Sequence, residues 1–165
     1  MRAIFVGRFQ PFHNGHLYAL KKIAKNYDEI FIILGSMDRC FEKQNPFTVE
    51  ERKKMIRSVL TGLKIKAVIV PIKDVENDEL WLGSILKKIK RVDAVFSNNS
   101  WVKRIFRGAG YDVRSTGQYE RGVHEGRWIR QMMGEGKRWE EYVPAVVARY
   151  IHKIKGVERV QKLFK

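Results

Sequence analysis

The residues best suited to chemistry stand together near the start of the chain, in Gly7-Arg8-Phe9-Gln10-Pro11-Phe12-His13-Asn14-Gly15-His16. Two imidazoles three residues apart, preceded by a guanidinium, are donors and cations suited to phosphate oxygens. Gly7 permits a tight exit from what precedes it, and Gly15 lets a bulky ligand approach the backbone with no Cβ in the way. A helix starting here adds unpaired backbone N–H groups and the positive end of its dipole. The histidines have two other readings. An i, i+3 pair could ligate a metal, but that spacing matches no usual helical zinc pattern and no third ligand lies nearby, so no metal site is expected. Either His alone would be a packing or capping residue. Phosphate accounts for the Arg, the glycines and both imidazoles together.

Such a loop needs a strand to deliver it and a helix to receive it. Residues 2–7, 29–35, 66–72 and 93–97 are short runs rich in β-branched and aromatic side chains, and each reads as a buried strand. Between them, residues 16–25, 49–60 and 79–89 carry apolar side chains at i, i+3, i+4 and i+7, the pattern of a helix with one buried face. A further helix is expected over 100–107, stopped by Gly108 and Gly110, with a fifth, edge strand over 111–114. Repeated strand–helix–strand order predicts an α/β fold, a doubly wound parallel sheet with right-handed crossovers and helices on both faces. From about residue 121 the pattern turns helical, best over 127–133 and 145–154. No stretch is long or polar enough for an interdomain linker. The reading is one domain over 1–165, a core through residue 120 followed by a C-terminal helical subdomain from 121.

Composition narrows the setting. The 165 residues carry 33 Lys+Arg against 18 Asp+Glu, a formal charge of +15, which attracts polyanions in general: nucleotides, nucleic acid or acidic surfaces. Basic residues interleaved with acidic ones through the whole chain read better as a solvated surface than as a nucleic-acid patch. Apolar residues make up 44%, enough to set disorder aside. No apolar run approaches the roughly 20 residues of a membrane span. The first residues have no signal-peptide core, so the expected location is the cytoplasm. A single Cys40 excludes an internal disulfide and makes redox chemistry improbable.

Residues 7–16 resemble the GRFxPxHxGH signature of the adenylyl- and cytidylyltransferase superfamily, whose core is HxGH. The variant here, followed by Asn45-Pro46-Phe47-Thr48 with Glu51-Arg52, is similar to the archaeal-type nicotinamide-mononucleotide (NMN) adenylyltransferases. The likeness continues through Pro71-Ile72, Asp74, Leu80-Trp81, Phe96-Ser97-Asn98, Ala109-Gly110-Tyr111 and Lys155-Gly156-Val157-Glu158-Arg159, nearly the whole chain. It implies a Rossmann-like fold that transfers AMP from ATP to NMN, or to nicotinic acid mononucleotide, giving NAD and pyrophosphate with Mg²⁺ carried on the phosphates. It further implies a homo-oligomer. Carried across by position, His13 and His16 contact the ATP phosphates and stabilise charge at the reacting phosphorus, and Arg8 holds the same phosphates. Trp81 stacks on the nicotinamide, and Asp74 and Arg52 lie around NMN. Gly7, Phe9, Gln10, Gly15, Ser97 and Asn98 complete the substrate site.

One late motif departs from the pattern. Where the family has Ser-x-Thr before a hydrophobic residue and Arg at a helix start, this chain has Glu125-Gly126-Arg127-Trp128-Ile129-Arg130. Arg130 falls at the family's arginine. A Glu at the cap position is expected to occupy the helix N–H groups itself and repel phosphate, with Arg127 compensating by reaching the β- or γ-phosphate. This leaves two alternatives to NMN adenylyltransfer: a related transferase with another phosphorylated acceptor, and a catalytically reduced nucleotide- or RNA-binding protein.

Overall fold

The computed structural model describes residues 1–117 and 125–165; the expected start of the helical part, near residue 121, lies outside them. The β-branched runs form β1 (Arg2–Gly7), β2 (Glu29–Leu34), β3 (Ala67–Pro71), β4 (Ala94–Phe96) and β5 (Val113–Arg114). They pair in parallel in the order β3-β2-β1-β4-β5, with Ile4 beside both Phe31 and Val95. All expected strands are present, trimmed by one or two residues where pairing ends. Pro71 is accommodated because it closes an edge strand, where a missing N–H costs no ladder bond. The order reverses between β1 and β4, so their carboxyl ends, Gly7 and Phe96, flank the crevice where open parallel sheets bind ligands.

Among the described residues the helices are α1 (Asn14–Ala24), α2 (Val49–Leu63), α3 (Asp78–Leu86), α4 (Ser100–Gly108), α5 (Gly126–Gly134), α6 (Ala145–Lys153) and α7 (Gly156–Phe164). Side-chain caps fix the phase of α2, α3 and α4. Thr48 and Glu51 form a capping box on α2, and Asn77 and Asn99 cap α3 and α4.

The chain divides into two compact units. The first holds Met1–Arg8, Ala19–Met37 and Lys66–Gly117, and contains the sheet. One sheet face carries Ile4, Val6, Ile33, Val70 and Val95 in a core with Trp81 and Ile85 of α3 and Val102, Ile105 and Phe106 of α4. Alternation sends Ala3, Phe5, Ile30, Ile32 and Leu34 to the other face, where they too are buried. The second unit holds Phe9–Tyr18, Asp38–Ile65 and the described residues from 125 onward. There α2 packs on α6, and α7 packs on both α5 and α6. Helix α7 falls within the expected helical part but beyond its two best segments, 127–133 and 145–154. Its start is hidden because Lys155 turns through the left-handed region at φ 54°, separating it from α6 by a residue type that rarely marks a turn.

Candidate active site

Within the second unit, the two histidines are joined through the backbone. The His13 N–H donates to His16 Nδ1 at 3.2 Å, and the His16 N–H donates to His13 Nδ1 at 3.3 Å. The Leu17 N–H meets the His13 carbonyl at 3.0 Å, which makes His13 the N-cap of α1 and His16 its third residue. This is a capping box built from imidazoles, and it explains the spacing of three, since only the cap and third positions exchange such bonds. It also starts α1 at Asn14, two residues before the expected start at 16. Both Nδ1 atoms accept from amides, so each neutral ring carries its proton on Nε2. The box pairs two of the helix's first four N–H groups, leaving those of Asn14 and Gly15 as the ones helix geometry itself does not pair.

The rings stack with centroids 3.5 Å apart, and His16 lies against Phe9 and Phe12, at 4.6 and 5.4 Å. Burial among these rings, with His13 beside it, holds His16 well below the usual imidazole range. Its resting form near pH 7 is therefore the neutral ring, a hydrogen-bond donor. Phe9 makes this arrangement at φ 54°, a left-handed conformation costing a bulky residue on the order of 1–2 kcal/mol.

Gln10, expected to touch substrate, spends its side chain inside the protein. Its Nε2 donates to the Phe47 carbonyl and its Oε1 accepts from the Phe47 N–H, both at 3.0 Å. Its own carbonyl accepts from Arg130 Nη1 at 2.7 Å. Gly126 stands here because a Cβ would lie 3.0 Å from that guanidinium nitrogen and 3.2 Å from the Gln10 carbonyl oxygen. Arg130 is thereby brought to the histidine loop. Arg52 is enclosed at 0% exposure, with Nε donating to the Thr48 carbonyl at 3.3 Å.

The altered late motif sits on α5. Glu125 is its N-cap, but the carboxylate makes no capping bond and is exposed, which corrects the expectation that it would occupy the helix N–H groups. Arg127 is exposed, its guanidinium 5.2 Å from the Trp128 ring.

In the first unit, Arg8 is exposed just after Gly7 at the carboxyl end of β1. The Ser97 hydroxyl accepts from the Asn99 N–H, turning the chain into α4. Asn98 clasps the loop after β5: Oδ1 accepts from Ser115 Oγ and the Thr116 N–H, and Nδ2 donates to the Gly117 carbonyl. Asp74 accepts from the N–H of Ser36, a residue at φ 50°, and so fixes the exit from β2. Trp81 is 2% exposed, with Trp101 at 4.6 Å and Phe106 at 6.1 Å. The Asn77 cap sets α3 so that Trp81 and Ile85, four residues apart, share its inner side. The indole is thus enclosed in the first unit's core, with Trp101 and Phe106 against it.

Among the described residues no group of three or more His, Cys, Asp or Glu is placed to hold a metal. The Thr48–Glu51 box is spelled Thr-x-x-Glu in the sequence, a known signature that could have placed the start of α2, whereas no spacing pointed to a role for Arg159.

Residues 4–150 match the cytidylyltransferase-like family. Over 162 residues the chain is 41% identical to a protein of Methanosphaerula palustris named nicotinamide-nucleotide adenylyltransferase, covering 98% of this chain and 96% of that one. A protein of Archaeoglobus fulgidus with the same name is 38% identical over 169 residues, covering 99% and 97%. Among solved structures, a bifunctional NMN adenylyltransferase/ADP-ribose pyrophosphatase of Francisella tularensis, complexed with AMP and a manganese ion, superimposes with a TM-score of 0.75 at 25% identity. It matches 99% of this chain, which spans about half, 51%, of that one.

Proposed function

This chain is a member of the cytidylyltransferase-like family, and from that premise we propose that it transfers AMP from ATP to NMN, giving NAD and pyrophosphate. The observation that carries the reading is the imidazole pair fixed by reciprocal backbone bonds at the start of α1. In the reaction a phosphate oxygen of NMN attacks the α-phosphorus of ATP in line, and the bond from that phosphorus to the bridging oxygen of pyrophosphate breaks. The attacking phosphate is already a nucleophile, so no covalent enzyme intermediate is needed. The protein aligns two anions and neutralises the charge that grows on the equatorial and leaving oxygens.

In our reading His13 and His16 present their Nε2–H groups to the ATP phosphates, and Arg8 and Arg130 supply permanent positive charge. The N–H groups of Asn14 and Gly15 extend the same cradle. A neutral His16 donates without the cost of a buried cation, and bound phosphate draws its proton affinity upward. We further assign Asp74, Ser97 and Asn98 to shaping the loops beside the acceptor, and Arg127 to an outer phosphate. A divalent ion, for which we propose Mg²⁺, enters as the counter-ion of the nucleotide. A divalent ion, manganese, accompanies AMP in the related Francisella structure. Among the described residues no helix is long and apolar enough to cross a membrane.

Nicotinic acid mononucleotide is the companion acceptor in this reading. A different phosphorylated acceptor is the second one, favoured by the burial of Trp81. Purified protein with ATP, Mg²⁺ and NMN should produce NAD, followed by coupling to an NAD-dependent dehydrogenase. His16→Ala should lower kcat by at least about 100-fold with a much smaller change in the KM for NMN. Equal losses in both would remove His16 from the transition state. Protein that binds ATP but makes no NAD would shift the reading to the other acceptor.

A further inference from the structure

We propose that Arg159, on the C-terminal helix α7, is a positioning residue for the phosphate-binding groups, so that α7 acts as a brace for the active site rather than as a tail. The inference rests on the adenylyl-transfer reading for what is positioned. Its geometry lies wholly within the second unit. Arg159 Nη1 donates to Glu51 Oε2 at 2.6 Å and to the Pro46 carbonyl at 3.1 Å, and Nη2 donates to Glu51 Oε1 at 2.8 Å. The same Glu51 is the back-reaching half of the α2 capping box, accepting from the Thr48 N–H at 2.9 Å.

One guanidinium therefore holds the Pro46 end of the strap Pro46-Phe47-Thr48 directly and its Thr48 end through Glu51. The residue in its middle, Phe47, exchanges both of its backbone bonds with the Gln10 amide, and the Gln10 carbonyl receives Arg130 at 2.7 Å. Gln10 is three residues before His13. Hydrogen bonds, linked by the backbone of the strap and of Gln10, thus lead from α7 to the loop and the arginine assigned to phosphate.

Two glycine contacts make the same connection by packing. At Gly156 a Cβ would lie 2.9 Å from the Phe47 ring, so the start of α7 presses on the strap. At Gly134 a Cβ would lie 2.6 Å from the Phe164 ring, so the end of α7 presses on α5, the helix that carries Arg130. Helix α7 touches both arms that converge on Gln10.

The Arg159–Glu51 pair is not an ordinary surface bridge. Its side chains are 20% and 16% exposed and its bonds are bidentate, the geometry that resists screening and fixes direction. Burial raises the Glu51 carboxyl, but the bonds from Arg159 and Thr48 outweigh it and the net shift is downward, so the pair is ionised at neutral pH. No part of it is assigned to touch substrate, which makes its effect on turnover a test of positioning.

The test uses the full-length protein with Arg159→Ala, Arg159→Lys, Glu51→Gln and the double variant Arg159→Ala/Glu51→Gln. Each is checked for folding by circular dichroism and assayed well below its melting temperature. Inorganic pyrophosphate binding is measured by calorimetry beside NAD formation. Arg159→Ala should lower kcat about 10- to 100-fold and weaken pyrophosphate several-fold, with the KM for NMN changed less than about twofold. Lys keeps one bond and should recover part of the loss. The double variant should lose no more than the worse single one, since both break the same link. A folded Arg159→Ala protein with a lower melting temperature but unchanged kcat and pyrophosphate affinity would overturn the proposal. If Ala prevents folding, an unchanged kcat and pyrophosphate affinity in Arg159→Lys does so instead. Wild-type protein that makes no NAD would defeat the adenylyl-transfer reading alone, because pyrophosphate affinity still reports whether Arg159 sets the site.

Discussion

At the scale of single residues, the histidine pair ties stability to the chemistry proposed for it. Each Nδ1 is an acceptor in the cap, so a proton placed there breaks a helix-starting bond as well as adding a cation beside another imidazole. The linkage has a definite sign. His16 has a folded pKa below its unfolded value of about 6.5, so the unfolded chain binds the proton more tightly. The stability it contributes is fully present above about pH 6.5 and is lost as pH falls from there through the depressed folded value. Chemical denaturation across that window should show stability declining with acidity, and His16→Asn should flatten the decline. Asn can still accept the cap N–H, so this variant should stay within about 1 kcal/mol of wild type at pH 7.5. An equally steep decline in the variant would assign the pH dependence to other groups.

At the scale of elements, the start of α5 is where this chain differs from the pattern it otherwise follows. Glu125 caps nothing, so its influence on a phosphate is through charge alone. Glu125→Ser would supply the missing cap, worth about 0.5–1 kcal/mol, and remove a like charge from the positive end of the helix. The KM for ATP should fall about two- to fivefold, and the melting temperature should rise. A higher KM would mean that Glu125 holds something the site needs. Gly126 next to it is not open to such exchange, because the space for a Cβ is taken by the Arg130–Gln10 bond.

For the whole molecule, the formal charge is +15 and the proposed substrates are all anions. Most of it is spread over exposed side chains, which salt screens within about 10 Å at 0.1 M. Substrate capture should therefore weaken with salt while the buried arrangement at the histidines should not. Raising salt from about 0.05 to about 0.5 M should increase the KM for ATP several-fold and leave kcat nearly constant. A fall in kcat with an unmoved KM would place the salt effect in the chemical step and remove the surface from the account.

The sequence by itself determined the sheet, the place of the histidine loop at the start of α1 and the family. Strands such as Ile30 to Leu34 are buried on both faces and spell themselves as apolar runs, and a spacing of three at a helix start fits few uses besides a cap and a ligand. Only the tertiary structure decided what the polar side chains do. Gln10 and Asn98 have the composition of ligand-binding residues, yet their amides are taken by Phe47, 37 residues away, and by residues 115–117. Arg159 reads as one more surface cation until Glu51, 108 residues distant, is brought beside it. Trp81 was assigned a ligand by likeness and a core by the phase of its helix. Local spacing encodes backbone geometry, which is set by neighbours in the chain. A hydrogen-bond partner is chosen by whichever group folding delivers within 3 Å, and no local pattern records that distance.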